Sequence, residues 1–234
     1  MRYNEFNQPI GDALPDFQIG KKPTVNLLEG RFCRLEKLSC EKHGNDLFEV
    51  YSSPLNYWTY LPLFPFEQKA DCFAYLSKME TSQDPYYFAI IDKTTGQAVG
   101  TFALMRIDPN HRVIEVGWVV FSPQMQRSKV GTEAHFLLAN YVFETLKYRR
   151  YEWKCDSLNQ ASNRAAKRLG FSFEGTFRQA QVYKGRNRDT NWYSMLDFFL
   201  KNAFCSCINL VCIILLFKQI NSVFLEFREN AVIQ

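Results

Sequence analysis

The sequence predicts one α+β domain built around a mixed β-sheet. From about residue 30 the pattern alternates between strand-like and helix-like periods, in the order βααβββαβαββ. The length of 234 residues fits a single domain with a small addition. A composition of 47% hydrophobic and 22% charged residues excludes a fully disordered or collagenous chain and is sufficient for a sizeable core.

The first part of the chain predicts an irregular arm followed by one strand and two helices. Residues 1–29 contain Pro and Gly residues without hydrophobic periodicity. Residues 31–36 alternate like a half-buried strand, and 41–51 and 66–79 are typical of helices. Between the two helices, the prolines of the aromatic segment 57–65 favour a loop.

A three-stranded meander is predicted next, over 86–92, 98–106 and 113–121, because β-rich runs alternate with turns containing Gly, Pro and Asn. The period then changes. One amphipathic face beginning near Glu133 is formed by Ala134, Leu137, Leu138, Tyr141 and Val142. A strand at 151–156, a helix at 160–169 ended by Gly170, and strands at 171–181 and 191–197 complete the order.

The C-terminal segment differs from the rest of the chain. Residues 202–217 carry no charge, but sixteen residues fall short of the ~20 that span a bilayer. A docked apolar extension, a tail without function and a C-terminal membrane anchor remain open, with the anchor the least favoured. The expected division is therefore an N-terminal arm at 1–29, a domain at 30–200 and an apolar tail at 201–234.

Charge and cysteine usage limit the partners. The net charge of +4 is spread along the chain, so we expect no nucleic-acid partner, although a local basic site for an anionic small molecule is compatible with it. The seven Cys form no CxxC pair, and the first residues lack an apolar signal segment. We therefore expect free thiols and a cytoplasmic, alternatively nuclear, location. The three scattered His predict no metal site.

The loop at 122–132 predicts a phosphate-binding site. It leads from the strand at 113–121 directly into a helix, whose first amide N–H groups and positive dipole end favour an anion. Arg127 and Lys129 add positive charge, and Gly131 allows close approach of the backbone.

Four motifs in this region resemble the GNAT family of N-acetyltransferases. Gln126-x-x-Lys129-x-Gly131 is similar to the family's Q/R-x-x-G-x-G/A acetyl-CoA signature, with Lys129 in place of one glycine. Three further motifs resemble the ribosomal-protein N-acetyltransferase branch: Glu115-Val116-Gly117-Trp118, Thr132-Glu133-Ala134, and Asn159-x-x-Ser162 followed by Leu169-Gly170-Phe171. The resemblance covers about residues 30–197.

This resemblance implies a GNAT fold, whose sheet splays apart between the strands at 114–121 and 151–156, and transfer of an acetyl group from acetyl-CoA to a primary amine. Strand residues 119–121 would pair with the pantetheine arm, an amide near Val119 would hold the oxyanion, and the loop would hold the diphosphate. The implied acetyl-CoA-binding residues are Val119, Val120, Phe121, Gln126, Arg127, Ser128, Lys129, Val130, Gly131, Thr132 and Asn159.

The resemblance also implies two catalytic residues. Glu115 occupies the family's strand glutamate position and would take a proton from the acceptor ammonium. Many relatives have a Tyr seven residues after the Asn, where this chain has Ala166. Ser162, which the ribosomal-protein branch offers instead, would then donate to the leaving thiolate. The alternatives are a solvated or salt-bridged strand glutamate and a serine that only caps a helix.

Aromatic side chains near the expected mouth, above all Trp58 and Trp118, are candidates for acceptor binding. The acceptor itself stays open between a protein N-terminus and a small amine, and the oligomeric state between monomer and homodimer. Two other functions remain possible: a non-catalytic acyl-CoA-binding protein, because Lys129 and Ala166 depart from the family pattern, and a membrane-associated protein, through the tail.

Overall fold

A computed structural model of the chain describes residues 1–197, which form an eight-stranded sheet with four α-helices and a separate small hairpin. The elements in chain order are β1 (Arg2–Tyr3), β2 (Pro9–Ile10), β3 (Leu27–Glu29), β4 (Cys33–Lys37), α1 (Cys40–Tyr51), α2 (Lys69–Thr81), β5 (Tyr86–Asp92), β6 (Ala98–Asp108), β7 (Val113–Phe121), α3 (Lys129–Asn140), β8 (Arg150–Asp156), α4 (Gln160–Arg168), β9 (Ser172–Tyr183) and β10 (Arg186–Leu196).

The sheet is mixed and mostly antiparallel, as predicted. Its strand order is β3-β4-β5-β6-β7-β8-β10-β9, and β7 with β8 is its parallel pair. From β4 onwards the elements follow the predicted order βααβββαβαββ.

Two hydrophobic cores lie on opposite faces of the sheet, and strand β5 shows why. Side chains alternate between the faces of a strand. Tyr86, Phe88 and Ile90 therefore enter the core beneath α3 and α4, whereas Tyr87, Ala89 and Ile91 enter the core beneath α1 and α2. An uninterrupted apolar run of this kind is what a strand buried on both faces requires.

The helix that follows the loop begins four residues earlier than the expected Glu133. Ser128 is its N-cap, and its hydroxyl oxygen accepts a hydrogen bond from the Gly131 amide at 3.1 Å. Serine is a preferred capping residue because it satisfies one of the amides that the first turn leaves without a partner. After Asn140 the chain continues as a short π-helical turn, Tyr141–Thr145.

The N-terminal arm is less irregular than expected. Its last residues form β3, which pairs antiparallel with β4 and extends the sheet, and β1 with β2 makes an exposed hairpin. Strands of two or three residues are too short for a periodic pattern to be recognised.

Some expectations fall wholly or partly outside the described residues. The end of the expected domain at 198–200 and the tail at 201–234, including the apolar run 202–217, belong to this group. Over residues 1–197, the helices are all too short or too polar to cross a lipid bilayer.

Candidate functional site

Strands β7 and β8 are paired over only part of their length. Val113–Val116 lies in parallel register with Arg150–Trp153, and no pairing follows. Beyond this point β7 stays paired with β6 through Val120 and Phe121, while β8 stays paired with β10 as far as Asp156. Two strand edges therefore face each other unpaired, which is the arrangement that accepts an extended ligand as an additional strand.

A β-bulge accompanies this separation. Between the pairs Thr101–Val120 and Ala103–Gly117, β6 contributes Phe102 while β7 contributes both Trp118 and Val119. Trp118 has φ +50°, a left-handed conformation that bulky residues rarely adopt. Because a bulge bends its strand and redirects backbone groups, it accounts for the departure of β7 from β8 at this position.

The loop after β7 forms a tight turn into α3. The Ser128 hydroxyl donates to the Met125 carbonyl at 2.7 Å and accepts from the Gly131 amide. The amides of Ser128 and Thr132 also donate within the loop, to the carbonyls of Met125 and Ser128. These three amides were expected to hold a diphosphate, and each would have to exchange an internal hydrogen bond to do so. Lys129 and Val130 supply first-turn amides, which a helix itself leaves unbonded.

Lys129 does not strain the turn, although it replaces a glycine of the resembled signature. The residue of this loop with positive φ is Arg127, at +58°, and Lys129 is the first residue of α3. Its Nζ lies 5.5 Å from the centre of the Phe32 ring. Gly131 packs closely against the loop, because an added Cβ would lie 3.3 Å from the Met125 carbonyl oxygen.

Glu133 fixes the start of α3 to the turn between β3 and β4, a role that the sequence interpretation missed. Its carboxylate accepts hydrogen bonds from the backbone amides of Arg31, Phe32 and Cys33, at 2.9, 2.6 and 2.8 Å. The turn at Gly30 is packed so closely that an added Cβ would lie 2.7 Å from Glu133 Cδ. Glu133 and its partners are about a hundred residues apart in the chain, so no local sequence pattern indicates this contact.

Glu115 lies on β7 beside the point where β7 and β8 separate, and it is only 4% exposed. One of its oxygens, Oε2, accepts from Arg106 Nη1 and from Lys154 Nζ, both at 2.7 Å. The sequence interpretation missed both cations. Asp156, the last residue of β8, instead accepts a hydrogen bond from the Tyr183 hydroxyl, at 2.7 Å.

Ser162 lies on the opposite face of the same region. Its hydroxyl oxygen accepts from the Trp153 indole N–H at 3.0 Å. The cap of α4 is the Asn159 side chain, which accepts from the Ser162 amide at 3.0 Å, so the capping role considered for Ser162 belongs to Asn159. Among the described residues, the NH₂ group of Asn159 has no hydrogen-bond partner.

Cys155 is a buried thiol at this site. Burial raises the pKa of Cys155, and hydrogen bonding to Ser162 acts in the opposite direction.

The two candidate acceptor-binding tryptophans have different surroundings. Trp58 is 1% exposed, its indole N–H donates to the Ser53 carbonyl at 3.0 Å, and its ring packs on Tyr51. The short helical turn Leu55–Trp58 directs this candidate acceptor-binding side chain into the core. Trp118 is half-buried on the bulge.

Two cations at the turn between β9 and β10 bind backbone carbonyls of the aromatic segment 57–65. Lys184 Nζ donates to the Trp58 carbonyl at 2.7 Å, and Arg186 donates to the Thr59 carbonyl at 2.6 Å. These cations therefore tie two loops together at the side of the site.

Residues 1–197 contain no group of three or more His, Cys, Asp or Glu side chains placed to hold a metal ion.

A parallel pair that opens beside a buried glutamate, followed by a loop that enters a helix, is the combination that the GNAT resemblance implies. The profile of the acetyltransferase (GNAT) domain matches residues 34–172. The chain therefore belongs to the GNAT acetyltransferase family, and the expected membership is confirmed.

Individual relatives agree with this assignment. A GCN5-related N-acetyltransferase from Brucella melitensis has a TM-score of 0.77 and 46% sequence identity, covering 79% of this chain and 85% of that chain. YoaA, an uncharacterized N-acetyltransferase of Bacillus subtilis, is 30% identical over 104 residues, 44% of this chain and 58% of YoaA. The ribosomal-protein-serine acetyltransferase of Escherichia coli is 26% identical over 100 residues, 43% of this chain and 55% of that protein. The chain spans little more than half the length of these two curated relatives.

Proposed function

We propose that this protein transfers the acetyl group of acetyl-CoA to a primary amine by direct attack within a ternary complex. The observation that carries the proposal is the end of β7–β8 pairing at Val116 and Trp153, immediately beside Glu115. An acyl-pantetheine arm is an extended chain with two amide groups, and the open strand edges offer it backbone partners.

The other proposed contacts to acetyl-CoA come from the loop at 122–132, from β7 and from Asn159. The first-turn amides of Lys129 and Val130 and the charge of Arg127 would hold the diphosphate, with Gln126, Ser128, Gly131 and Thr132 completing the turn. On β7, residues 119–121 would meet the pantetheine, and the NH₂ group of Asn159 would donate to it from β8's end. Acetyl-CoA supplies an activated thioester; the protein supplies position and proton transfer.

The proposed proton transfers use Glu115 and Ser162. An alkyl ammonium must lose a proton before its nitrogen can attack, and Glu115 takes this proton, directly or through a water. The nitrogen then bonds to the carbonyl carbon, whose oxygen is held by an amide near Val119, and the carbon–sulfur bond breaks. The Ser162 hydroxyl donates a hydrogen bond to the departing thiolate, which becomes a thiol by taking the second proton that the nitrogen gives up as the amide forms.

The acceptor is a protein N-terminus or a small amine. The acceptor class in the name of the Escherichia coli relative, a ribosomal protein, supports the first of these. Trp118, half-buried at the bulge, is the remaining tryptophan candidate for the acceptor side.

The proposal is tested in two steps. Acetyl-CoA at saturating concentration should raise the midpoint of thermal unfolding, because a ligand that binds only the folded state stabilises it. A screen of N-terminal peptides, polyamines, amino sugars and antibiotics should then show release of free thiol that depends on one acceptor class. Without any thermal shift, the proposal of an acetyl-CoA site is wrong.

A non-catalytic acyl-CoA-binding protein is the second candidate function. Ala166, at the position where many relatives have a Tyr, is completely buried in the core beneath α3 and α4, so the described site has no hydroxyl there. A thermal shift with acetyl-CoA but no acetylated product in the screen would support this function instead.

A further inference from the structure

We propose that Lys154 is a positioning residue for Glu115: its ammonium occupies one carboxylate oxygen and leaves the other to accept the proton of the acceptor. This inference rests on the proposed function, because it assigns a partner to the proposed base.

The first support is the geometry of the carboxylate. Lys154 Nζ and Arg106 Nη1 both donate to Oε2 of Glu115, and no described residue donates to Oε1. Oε1 lies toward Gly117, where an added Cβ would be 3.7 Å from it. Gly117 directly follows the last β7 residue paired with β8, so the free oxygen lies toward the start of the open edge.

The second support is the way in which Lys154 is held. Its side chain is 7% exposed, and Nζ also donates to Glu152 Oε2 at 2.7 Å. The Trp192 ring lies 3.8 Å from Nζ, so an aromatic face closes another side of the ammonium. A lysine bound on three sides has lost the rotamer freedom that ordinarily makes this side chain a poor positioning group.

The same contacts argue against Lys154 as an acetyl acceptor. Its nitrogen directs protons at two carboxylates and so offers no lone pair to a thioester. Arg106, by comparison, is half-exposed and reaches Glu115 from β6, so solvent screens it more than Lys154. The charged groups that face Glu115 are thus Arg106 from β6, and Lys154 and Glu152 from β8. Glu152 is the register partner of Glu115, and Lys154 bonds both carboxylates.

The test compares Lys154→Met, which keeps the length of the side chain without its charge, with Lys154→Arg, which keeps the charge. Lys37→Met is the matched control, because Lys37 is also partly buried with Nζ 4.0 Å from an aromatic ring, that of Tyr86, but it lies on β4. Carbon-13 NMR of labelled Glu side chains follows Glu115, assigned by its disappearance in Glu115→Gln.

In Lys154→Met we expect the Glu115 resonance to change its pH dependence toward higher pH than in the wild type, because the opposite charge that contacts Oε2 of the carboxylate is removed. The acidic limb of the kcat/KM profile should move in the same direction, with acetyl-CoA affinity unchanged. Lys154→Arg should restore both, and Lys37→Met should change neither.

An unchanged Glu115 titration in a folded Lys154→Met protein overturns the proposal, as does acetylated Lys154 found by mass spectrometry after incubation with acetyl-CoA. A wild-type protein that acetylates no acceptor would contradict the proposed function instead. In that case the titration, which needs no acceptor, still decides whether Lys154 controls the carboxylate.

Discussion

Replacing Glu115 by Gln keeps the shape of the side chain and removes its capacity to take a proton. If Glu115 is the base, we predict a turnover lower by about a hundredfold or more, the usual contribution of a positioned base. Acetyl-CoA affinity should be unchanged, because Glu115 lies at the start of the opening and away from the loop at 122–132. Steady-state kinetics and a thermal shift with acetyl-CoA measure the two effects.

Glu36→Gln is the matched control for this substitution, since Glu36 is also a carboxylate bonded to two nitrogen-bearing side chains, those of Arg34 and His43, but on β4. Equal turnover in Glu115→Gln and in the wild type would show that Glu115 only pairs with its two cations.

Ser162→Ala tests the proposed donor to the thiolate. We predict a turnover lower by about tenfold, less than for the base, because a single hydrogen bond to a thiolate is removed. The loss of stability should be small, since the Asn159 cap of α4 stays and the hydrogen bonds lost are those of the Ser162 hydroxyl with the Trp153 indole and the Cys155 thiol. Ser77→Ala, a helical serine whose hydroxyl bonds an α2 carbonyl, controls for loss of a hydroxyl in general. A wild-type rate in Ser162→Ala leaves Ser162 as a structural partner of Trp153.

At the scale of elements, α3 depends on Glu133 for its position. Gln in place of Glu133 would put an NH₂ group among three backbone N–H donors, so at least one of them loses its acceptor. We predict a loss of about 1–3 kcal/mol in the free energy of unfolding, the cost of leaving a buried donor unsatisfied. Because the first turn of α3 is the proposed diphosphate site, stabilisation by acetyl-CoA should also weaken.

Denaturant unfolding with and without acetyl-CoA measures both quantities. Glu144→Gln, at an exposed glutamate in the π-helical turn after α3, is the control and should change neither. Wild-type stability in Glu133→Gln would mean that the three amides find other partners.

The sequence predicted the helices and strands that are long enough to show a hydrophobic periodicity of their own. The apolar run of β5 is buried as expected, as are Ala134 and Leu138 of α3 and Val142 of the π-helical turn that follows it. The start of α3 was placed too late because a loop serine and a capping serine look alike until the structure shows what the hydroxyl of Ser128 accepts. The burial of Trp58 also had no local signal, since an aromatic residue in a loop can either line a binding site or pack into the core.

The site could be predicted only where one strand or loop supplies it. Glu115, the loop at 122–132 and Ser162 follow from motifs in the chain. Lys154, Arg106 and Glu133 act through contacts between separate strands or between a helix and a distant turn. Such contacts depend on the register between neighbouring strands and on the position at which β7 separates from β8. The spacing of residues within a single strand indicates neither.

At the scale of the whole molecule, acid stability should depend on His135. Burial lowers the pKa of His135 from 6.5 to about 3, and the charge of Arg168 acts in the same direction. Its ring packs against Phe102, Phe121 and Trp153, between α3 and the strands that border the site. The folded protein therefore keeps this imidazole neutral at pH values where the unfolded chain binds a proton.

Since the unfolded state binds more protons, the free energy of unfolding falls as the pH drops below about 6.5, by up to ~1.4 kcal/mol per pH unit for one group. The decline ends near the folded pKa of about 3. We predict that His135→Leu, an apolar side chain in the same aromatic surroundings, lowers this slope between pH 4 and 6 by about one proton. Denaturant unfolding at several pH values measures it, and His111→Leu, at an exposed histidine, is the control. An identical slope in His135→Leu would mean that His135 is protonated in the folded protein.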